Sequence, residues 1–299
     1  MFKTGVRSAL MVSVAAVCLV FGAQLDGRTG ADITIRARAM APGELLVVTI
    51  PTPPTASEVR VAAFGRDVRA FPIEAETWQA LVGIDLDVKP GDAKIEIDVK
   101  AATGGGLVSK VVTVLPHEFP TRRLTVDEQY VNPPEATMER IAREQKDLEG
   151  VWADSAPTRL WSGAFERPVP QDANSAFGSR SIFNDQPRSP HSGADFSSPA
   201  GTPVHAPNAG RIVLARDLYF TGNTVIVDHG LGLFSLMAHL SAIDVHERDV
   251  VKTGQLLGAV GATGRVTGPH LHWAIRINGA RVDPLSVIEV LKGTKEVKK

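Results

Sequence analysis

Seven of the eight histidines in this 299-residue sequence lie at or after residue 191, and three of the places where they occur could take part in chemistry at a metal ion. In the segment His191-Ser192-Gly193-Ala194-Asp195, a histidine and a carboxylate are four residues apart, and the glycine between them permits a tight backbone path. His270 and His272 are two residues apart, so on a strand they would point to the same face. His239 ends an apolar run, where a buried histidine held by hydrogen bonds is an equally good interpretation.

Together these residues predict a catalytic zinc site. Two histidines and one carboxylate are the expected protein ligands of a zinc ion that keeps a fourth position for water. Two further histidines remain to handle protons and developing negative charge, and zinc lowers the pKa of a bound water toward about 7. The inventory therefore predicts metal-assisted hydrolysis. A purely structural zinc ion fits poorly because such sites are closed by four ligands, mostly cysteines, and Cys18 is the only cysteine.

Over roughly residues 160 to 290 the sequence resembles the lysostaphin-like (LytM-type, M23) peptidoglycan endopeptidases. The blocks that carry the resemblance occur in the order of that family: residues 191–195, 206–213, 222–230, 238–241, 261–264 and 268–273. The resemblance implies a zinc-dependent endopeptidase with one Zn²⁺ per chain. Its substrates would be the peptide stems of bacterial peptidoglycan.

The resemblance also implies a role for each site residue. His191, Asp195 and His272 would be the zinc ligands. His239 and His270 would be the catalytic pair that activates water and stabilises the oxyanion, and which of the two takes the proton stays open. The bond expected in a Gram-negative envelope joins D-Ala to meso-diaminopimelate. The lack of a recognisable glycine-binding targeting domain favours that bond over a pentaglycine bridge.

A second class of function uses the same fold without catalysis. A non-catalytic M23-fold protein would bind or activate another cell-wall hydrolase. Relatives of that kind usually lack one or more of the metal or catalytic residues. All five are present here, which favours the enzyme.

Several other residues near these motifs have structural interpretations. His205 and His229 are expected in turns beside strands, His246 at the surface and Trp273 in the core. Arg180 could contact substrate, although it is more typical of a surface arginine. The formal net charge of −1 gives no indication of a nucleic-acid partner.

The N-terminal segment has the pattern of a secretory signal over residues 1–23. Lys3 and Arg7 precede an uncharged apolar run from Ala9 to Phe21, which is short for a membrane span. The cleavage site is poorly defined, so an uncleaved N-terminal anchor is the alternative. The expected location is exported: the periplasm or cell envelope.

The elements that position the site are predicted to be mostly β. Residues 32–118 carry short strand patterns separated by turn signals, which predicts an immunoglobulin-like β-sandwich. Its acidic residues are expected to face solvent. Residues 119–160 form a connector with a helix at 135–152, and residues 161–292 form a C-terminal antiparallel β-sheet metallopeptidase domain.

No chemistry is predicted for the N-terminal domain, but three roles are open to it. It could position the enzyme, bind an envelope protein partner, or cover the groove until the enzyme is needed. The long connector motivates the last of these, an autoinhibition hypothesis. The sequence does not predict the oligomeric state.

Overall fold

A computed structural model describes residues 33–125, 127–175 and 177–292. The predicted signal segment, residues 1–23, lies outside the described residues. Within the described part, neither helix is both long enough and apolar enough to span a bilayer.

The first eight strands form a sandwich of two antiparallel four-stranded sheets. They are β1 (Thr34–Arg36), β2 (Leu45–Pro51), β3 (Ala56–Ala63), β4 (Arg66–Arg69), β5 (Phe71–Glu74), β6 (Thr77–Gly83), β7 (Gly91–Ala101) and β8 (Gly106–Val114). The strand orders are β1-β2-β6-β5 and β4-β3-β7-β8. The β-branched residues Val48, Val61 and Ile97 alternate inward and are buried between the sheets. The immunoglobulin-like assignment rests on this strand order alone and stays a prediction.

Residues 84–88, whose alternation predicts a strand, do not form one. They follow β6 as an irregular turn, and Asp85 is buried at 5% exposure. The expectation that the acidic residues face solvent is wrong at this position. Asp85 accepts hydrogen bonds from the backbone nitrogen of Arg281, at 2.8 Å, and from its guanidinium, so the carboxylate joins the two domains.

The connector crosses the surface of the second domain. It contains β9 (Thr121–Leu124), a 3-10 turn at Glu128–Tyr130 and helix α1 (Glu135–Ala153), which lies where the sequence predicts a helix at 135–152. The apolar face of α1 carries Leu148, Val151 and Trp152. These residues pack against a buried cluster that includes Leu214 and Phe234.

The second domain is built on one large sheet. Its elements are β10 (Ala173–Ser175), β11 (Arg180–Phe183), β12 (Gln186–Pro187), β13 (Gly193–Phe196), β14 (Pro203–His205), β15 (Gly210–Leu218), β16 (Gly222–Gly230), β17 (Leu233–Ile243), β18 (Val250–Val251), β19 (Leu256–Val260), β20 (Leu271–Ile277), β21 (Ala280–Val282) and α2 (Pro284–Leu291). The main path is β10-β13-β20-β17-β16-β15-β18, and β14, β19 and β21 flank it. A second small sheet has the order β12-β11-β9, so the connector strand belongs to it, parallel to β11.

The two domains share an apolar core. Val47 and Leu81 of the sandwich lie in the same buried cluster as Trp161, Val282 and Val287 of the second domain. Polar contacts surround this junction: Ser286 Oγ donates to Glu44 at 2.7 Å, and Arg38 bridges Glu44 and Asp283. Each domain therefore covers apolar surface that the other would otherwise expose to water.

Candidate metal centre and its two neighbouring histidines

Three side chains converge at one end of the large sheet. The Nε2 atom of His191 lies 2.9 Å from Oδ1 of Asp195, and Nδ1 of His272 lies 2.9 Å from the same oxygen. The two ring nitrogens are 3.0 Å apart. The structure thus brings together the three residues predicted as ligands, as a group whose donor atoms could hold one metal ion.

Strand pairing sets the position of two of the three. Asp195 on β13 and His272 on β20 are direct cross-strand partners, so their side chains lie on the same face of the sheet. His191 precedes β13, in a loop whose backbone is fixed by two hydrogen bonds. Its nitrogen donates to Ser179 O at 2.9 Å, and its oxygen accepts from Gly178 N at 2.8 Å.

Gly193 allows the strands that carry the ligands to come close. A Cβ atom at this position would lie 2.7 Å from Cε1 of His272 and 2.4 Å from the carbonyl oxygen of Trp273. The backbone of Gly193 does not have a positive φ. The glycine therefore permits a close approach of the two backbones, as the sequence predicts, and it also leaves space for the His272 ring.

The charges of the group suit a cation. Burial alone would raise the pKa of Asp195, but hydrogen bonds from His191 and His272 bring it well below its ordinary value. Burial lowers the pKa of the His272 ring, which favours the neutral imidazole. The group therefore offers an ionised carboxylate at Asp195 and a neutral imidazole at His272, the protonation states that bind metal, with the ring of His191 beside them. The donor set fits a zinc ion with an open coordination position.

His239 lies beside this group with one ring nitrogen already occupied. Its Nδ1 is 2.9 Å from the carbonyl oxygen of Thr263, which can only accept, so Nδ1 carries the hydrogen and Nε2 keeps the lone pair. Burial lowers the pKa of His239 to about 3, with smaller contributions from His272 and His270. The ring centroid of His239 is 4.9 Å from that of His270.

A β-bulge places His239 on this face. Ala238 and His239 on β17 stand opposite the single residue Thr224 on β16, and His239 has a φ of 66°. A left-handed φ is uncommon for a residue other than glycine, and bulges next to active sites re-aim side chains. The strain is therefore located at a residue for which chemistry was predicted.

Without the bulge, His239 would point into the core. Met237 and Leu240 face one buried cluster, whereas Ala238 faces the opposite side and pairs with His272. In a strand with strict alternation, the side chain of His239 would lie on the same face as that of Met237 and would enter the buried cluster. The extra residue instead leaves the His239 ring 6.0 Å from the His272 ring, centroid to centroid.

His270 has the same hydrogen-bonding state as His239. Its Nδ1 is 2.9 Å from the carbonyl oxygen of Gly268, which fixes the hydrogen on Nδ1. Its Nε2 is 3.9 Å from Oδ1 of Asp195. The residue forms an isolated bridge with Gly261 just before β20 begins. Both histidines therefore have Nδ1 donating to a backbone carbonyl, which leaves Nε2 as the ring nitrogen that can exchange a proton beside the candidate metal group.

His229 is structural, although it lies within β16 rather than in the predicted turn. It is fully buried, its Nδ1 donates to Ala209 O at 2.8 Å, and its Nε2 accepts from Ser235 Oγ at 2.9 Å. Burial lowers its pKa to about 4. Trp273 is buried in the core as predicted, and His246 is exposed.

All five predicted site residues line one cavity of about 510 Å³. Its walls also include Arg188 and Arg265, which no sequence motif indicates, while Arg180 is exposed and does not line it. No described residue of the sandwich, 33–118, is among the lining residues. Arginines at loop positions carry no periodic signal, so only the folded structure places these two in the groove.

Comparison with known proteins agrees with this geometry. Residues 189–284, which include all five predicted site residues, match the family model described as Peptidase family M23. The crystal structure of a candidate M23 peptidase from Pseudomonas aeruginosa is 36% identical, has a TM-score of 0.67, and covers 84% of this chain and 96% of that one. The chain belongs to the M23 peptidase family.

Two curated relatives have names that state an activity. The DD-carboxypeptidase/endopeptidase Mpg of Neisseria meningitidis serogroup B is 46% identical over 97 residues. The peptidoglycan DD-endopeptidase ShyA of Vibrio cholerae is 42% identical over 96 residues. Each match covers 32% of this chain and 22% of the relative, so the chain spans about a fifth of the length of these two proteins.

Proposed function

We propose that this M23 family member is a zinc-dependent endopeptidase that hydrolyses peptide cross-links of bacterial peptidoglycan. The observation that carries the proposal is the convergence of His191, Asp195 and His272 within 3.0 Å of one another, beside two histidines that present Nε2. The names of Mpg and ShyA support peptidoglycan peptides as the substrate. The bond we expect to be cleaved joins D-Ala to meso-diaminopimelate.

The chemistry divides between the metal and the histidines. A zinc ion held by His191, Asp195 and His272 would act as a Lewis acid and favour ionisation of water. His239 and His270 have their Nδ1 hydrogens on backbone carbonyls, so each can take a proton only at Nε2. A histidine that has accepted the proton of the attacking water becomes a donor at the same atom. It can then stabilise the oxyanion or protonate the leaving amine.

Two histidines allow these tasks to be separated. Each can accept a proton only at Nε2 when its ring is neutral, and a neutral ring can donate from Nε2 only after it has gained a proton. The proton taken from water by one of them therefore creates the donor that the later step requires. Because their hydrogen bonds are equivalent, the geometry assigns the first step to neither.

The place of action is part of the proposal. Residues 1–23 have the pattern of a secretory signal or an uncleaved anchor, which supports export to the periplasm or cell envelope. Peptidoglycan lies in that compartment. A protein partner for the N-terminal sandwich would act there too.

The test uses purified full-length protein without its signal segment, incubated with isolated peptidoglycan, with and without a zinc chelator. Mass analysis of the released fragments should show cleaved D-Ala–diaminopimelate cross-links, and release should stop with the chelator and resume after zinc is restored. A His270→Ala protein is the control for a contaminating hydrolase. If one equivalent of zinc binds and no fragment appears, the binding or activator function is the better description.

A further inference from the structure

The guanidinium of Arg265 lies over two aromatic rings at the wall of the cavity that contains the candidate metal group. Its central carbon lies 5.2 Å from the ring centroid of Phe183 and 4.8 Å from that of Phe220. The backbone nitrogen of Arg265 donates to Phe220 O at 2.8 Å, which fixes the base of the side chain. Such stacking restricts a guanidinium and leaves its edge N–H groups available for an anion.

Arg188 lines the same cavity. One of its terminal nitrogens donates to Val131 O at 2.7 Å and to Gln186 Oε1 at 2.8 Å. Its Nε atom is buried and has no hydrogen-bond partner among the described residues. Burial lowers the pKa of Arg265, and the neighbouring charge of Arg188 lowers it further, so the two cations are close enough to repel each other.

Arg265 has no carboxylate partner among the described residues, and Arg188 interacts only at longer range with the exposed carboxylate of Glu128. The only acidic side chain that lines the cavity is Asp195, which already contacts His191 and His272. Two neighbouring half-buried cations are unfavourable when the carboxylate that acts on one of them is solvent-exposed, because burial removes solvation that such a charge replaces only in part. A bound carboxylate would remove this cost and would form charge-assisted hydrogen bonds with both side chains.

We propose that Arg188 and Arg265 form a carboxylate-binding subsite that selects peptides with a free carboxylate beside the scissile amide. This inference rests on the proposed endopeptidase function. In a D-Ala–meso-diaminopimelate cross-link, the carbon attached to the amide nitrogen also carries a free carboxylate. In a pentaglycine bridge the same carbon is followed by another amide, which has no charge. The two arginines would therefore make the first kind of bond the preferred substrate.

The experiment compares two synthetic cross-linked peptide dimers that differ in one group. One has the free carboxylate of diaminopimelate beside the scissile amide, and the other has the carboxamide. For the native chain we expect kcat/KM about 10- to 100-fold higher on the carboxylate, the range for charge-assisted hydrogen bonds. Arg188→Gln and Arg265→Gln should each lower cleavage of the carboxylate dimer about 10-fold and leave cleavage of the carboxamide dimer nearly unchanged.

The matched control is Arg180→Gln, because Arg180 is an exposed arginine on β11 that does not line the cavity. It should keep the full preference. Arg265→Lys should keep part of it, since a lysine retains the charge but loses the planar donor pair. A loss of activity that is equal on both dimers in Arg188→Gln and Arg265→Gln would indicate a structural role and would overturn the inference.

A binding measurement separates failure of this inference from failure of the proposed function. Calorimetric titration of the His239→Ala protein with each dimer gives the affinity ratio without turnover. If the native chain cleaves neither dimer but the carboxylate dimer binds about 10-fold or more tightly, the subsite stands and the peptidase function fails. Equal cleavage and equal affinity for both dimers would overturn the subsite and leave the peptidase function in place.

Discussion

The Nδ1 atom of His239 donates a hydrogen bond of 2.9 Å to the carbonyl oxygen of Thr263. This bond fixes the tautomer and the orientation of the ring, and the equivalent bond from His270 to Gly268 does the same. A histidine held in this way acts through Nε2 alone. The candidate site therefore contains two groups of residues. The donor atoms of the three candidate metal ligands converge on one position, and the other two histidines, His239 and His270, lie beside that position with Nδ1 already bonded.

This separation predicts different losses on substitution. His272→Ala should abolish stoichiometric zinc binding, because one of three ligands is lost. His239→Ala should retain zinc and lower turnover by about 10²- to 10⁴-fold, the range for a general acid or base. Metal analysis of the purified variants and peptidoglycan digestion provide the two measurements. Turnover close to that of the native chain in either variant would contradict the assigned roles.

Gly193→Ala tests the close approach of β13 to the His272 ring. The added methyl group would lie 2.7 Å from Cε1 of His272, so the ring must move. We expect the zinc dissociation constant to rise by about 10- to 100-fold, as for other changes that misorient a ligand. Competition with a calibrated chelator measures it.

Gly150→Ala is the matched control for that substitution. Gly150 lies on α1 with open space around it. Alanine is the better helix former, so this variant should gain about 0.5–1 kcal/mol of stability and bind zinc normally. Unchanged zinc affinity in Gly193→Ala would show that the strands can move apart without cost.

Asp85→Asn tests the junction between the domains. It removes the buried charge that pairs with Arg281 and should lower the free energy of unfolding by about 1–3 kcal/mol, because the guanidinium keeps only its exposed partner Asp87. Chemical denaturation at pH 7 measures the change. Asp67→Asn, at the exposed pair with Arg60, should cost less than about 1 kcal/mol. Equal effects of the two substitutions would contradict a stabilising role for the junction.

The same pair has a predictable pH dependence. Burial would raise the pKa of Asp85, but hydrogen bonds from Arg281 outweigh it and leave the folded pKa below the ordinary 3.8. The stabilisation is therefore complete above that pH and is lost as the pH falls through the lower folded pKa. The stability difference between the native chain and Asp85→Asn should shrink below pH 4. A constant difference down to pH 2.5 would contradict this.

His229 should make the folded state sensitive to mild acid. Its pKa falls from 6.5 to about 4 because the ring is buried. As the pH drops below 6.5, the unfolded chain gains the proton first, so stability declines until about pH 4. At pH 5 the loss is about 2 kcal/mol, at ~1.36 kcal/mol per unit. Histidine ring resonances in NMR should show His229 neutral at pH 5.5, and a midpoint near 6.5 would disprove the assignment.

Two truncations test how far the second domain depends on the connector. A chain that begins at residue 119 keeps β9 and α1, whereas one that begins at Trp161 exposes the cluster around Phe234 that α1 covers. The longer chain should melt several degrees higher, roughly the effect of 1–2 kcal/mol in a domain of this size. Equal melting temperatures would show that α1 adds nothing. A gain of turnover in the longer chain over the full protein would support the autoinhibition hypothesis.

Much of the site was predictable because residue spacing carries local geometry. The separation of His270 and His272 by two residues indicates a shared face without any knowledge of the partner strands. The pairing of Asp195 with His272 requires contacts between distant segments, and only the resemblance to a family suggested it. Asp85 shows the opposite case. Its alternation with apolar neighbours is typical of a strand, yet its side chain is buried because it pairs with Arg281, almost 200 residues away in the sequence.

Positions that break a local rule could not be predicted. His239 has a left-handed φ that no sequence pattern marks, and its ring would face the core in a regular strand. Arg188 and Arg265 lie in loops, where neither periodicity nor propensity indicates direction. In each case the backbone is fixed by tertiary contacts that override local preference.

The bulge on β17 also restricts which insertions and deletions this segment can tolerate. Met237 and Leu240 are held in register by their partners on β16, and His239 occupies the surplus position between them. Deleting one residue from this interval would restore strict alternation and turn the remaining histidine toward the core. Related sequences can therefore differ in the residues that flank this histidine, but a functional relative must keep the number of residues, and an alignment gap at this point would mark a chain that has lost the histidine pair.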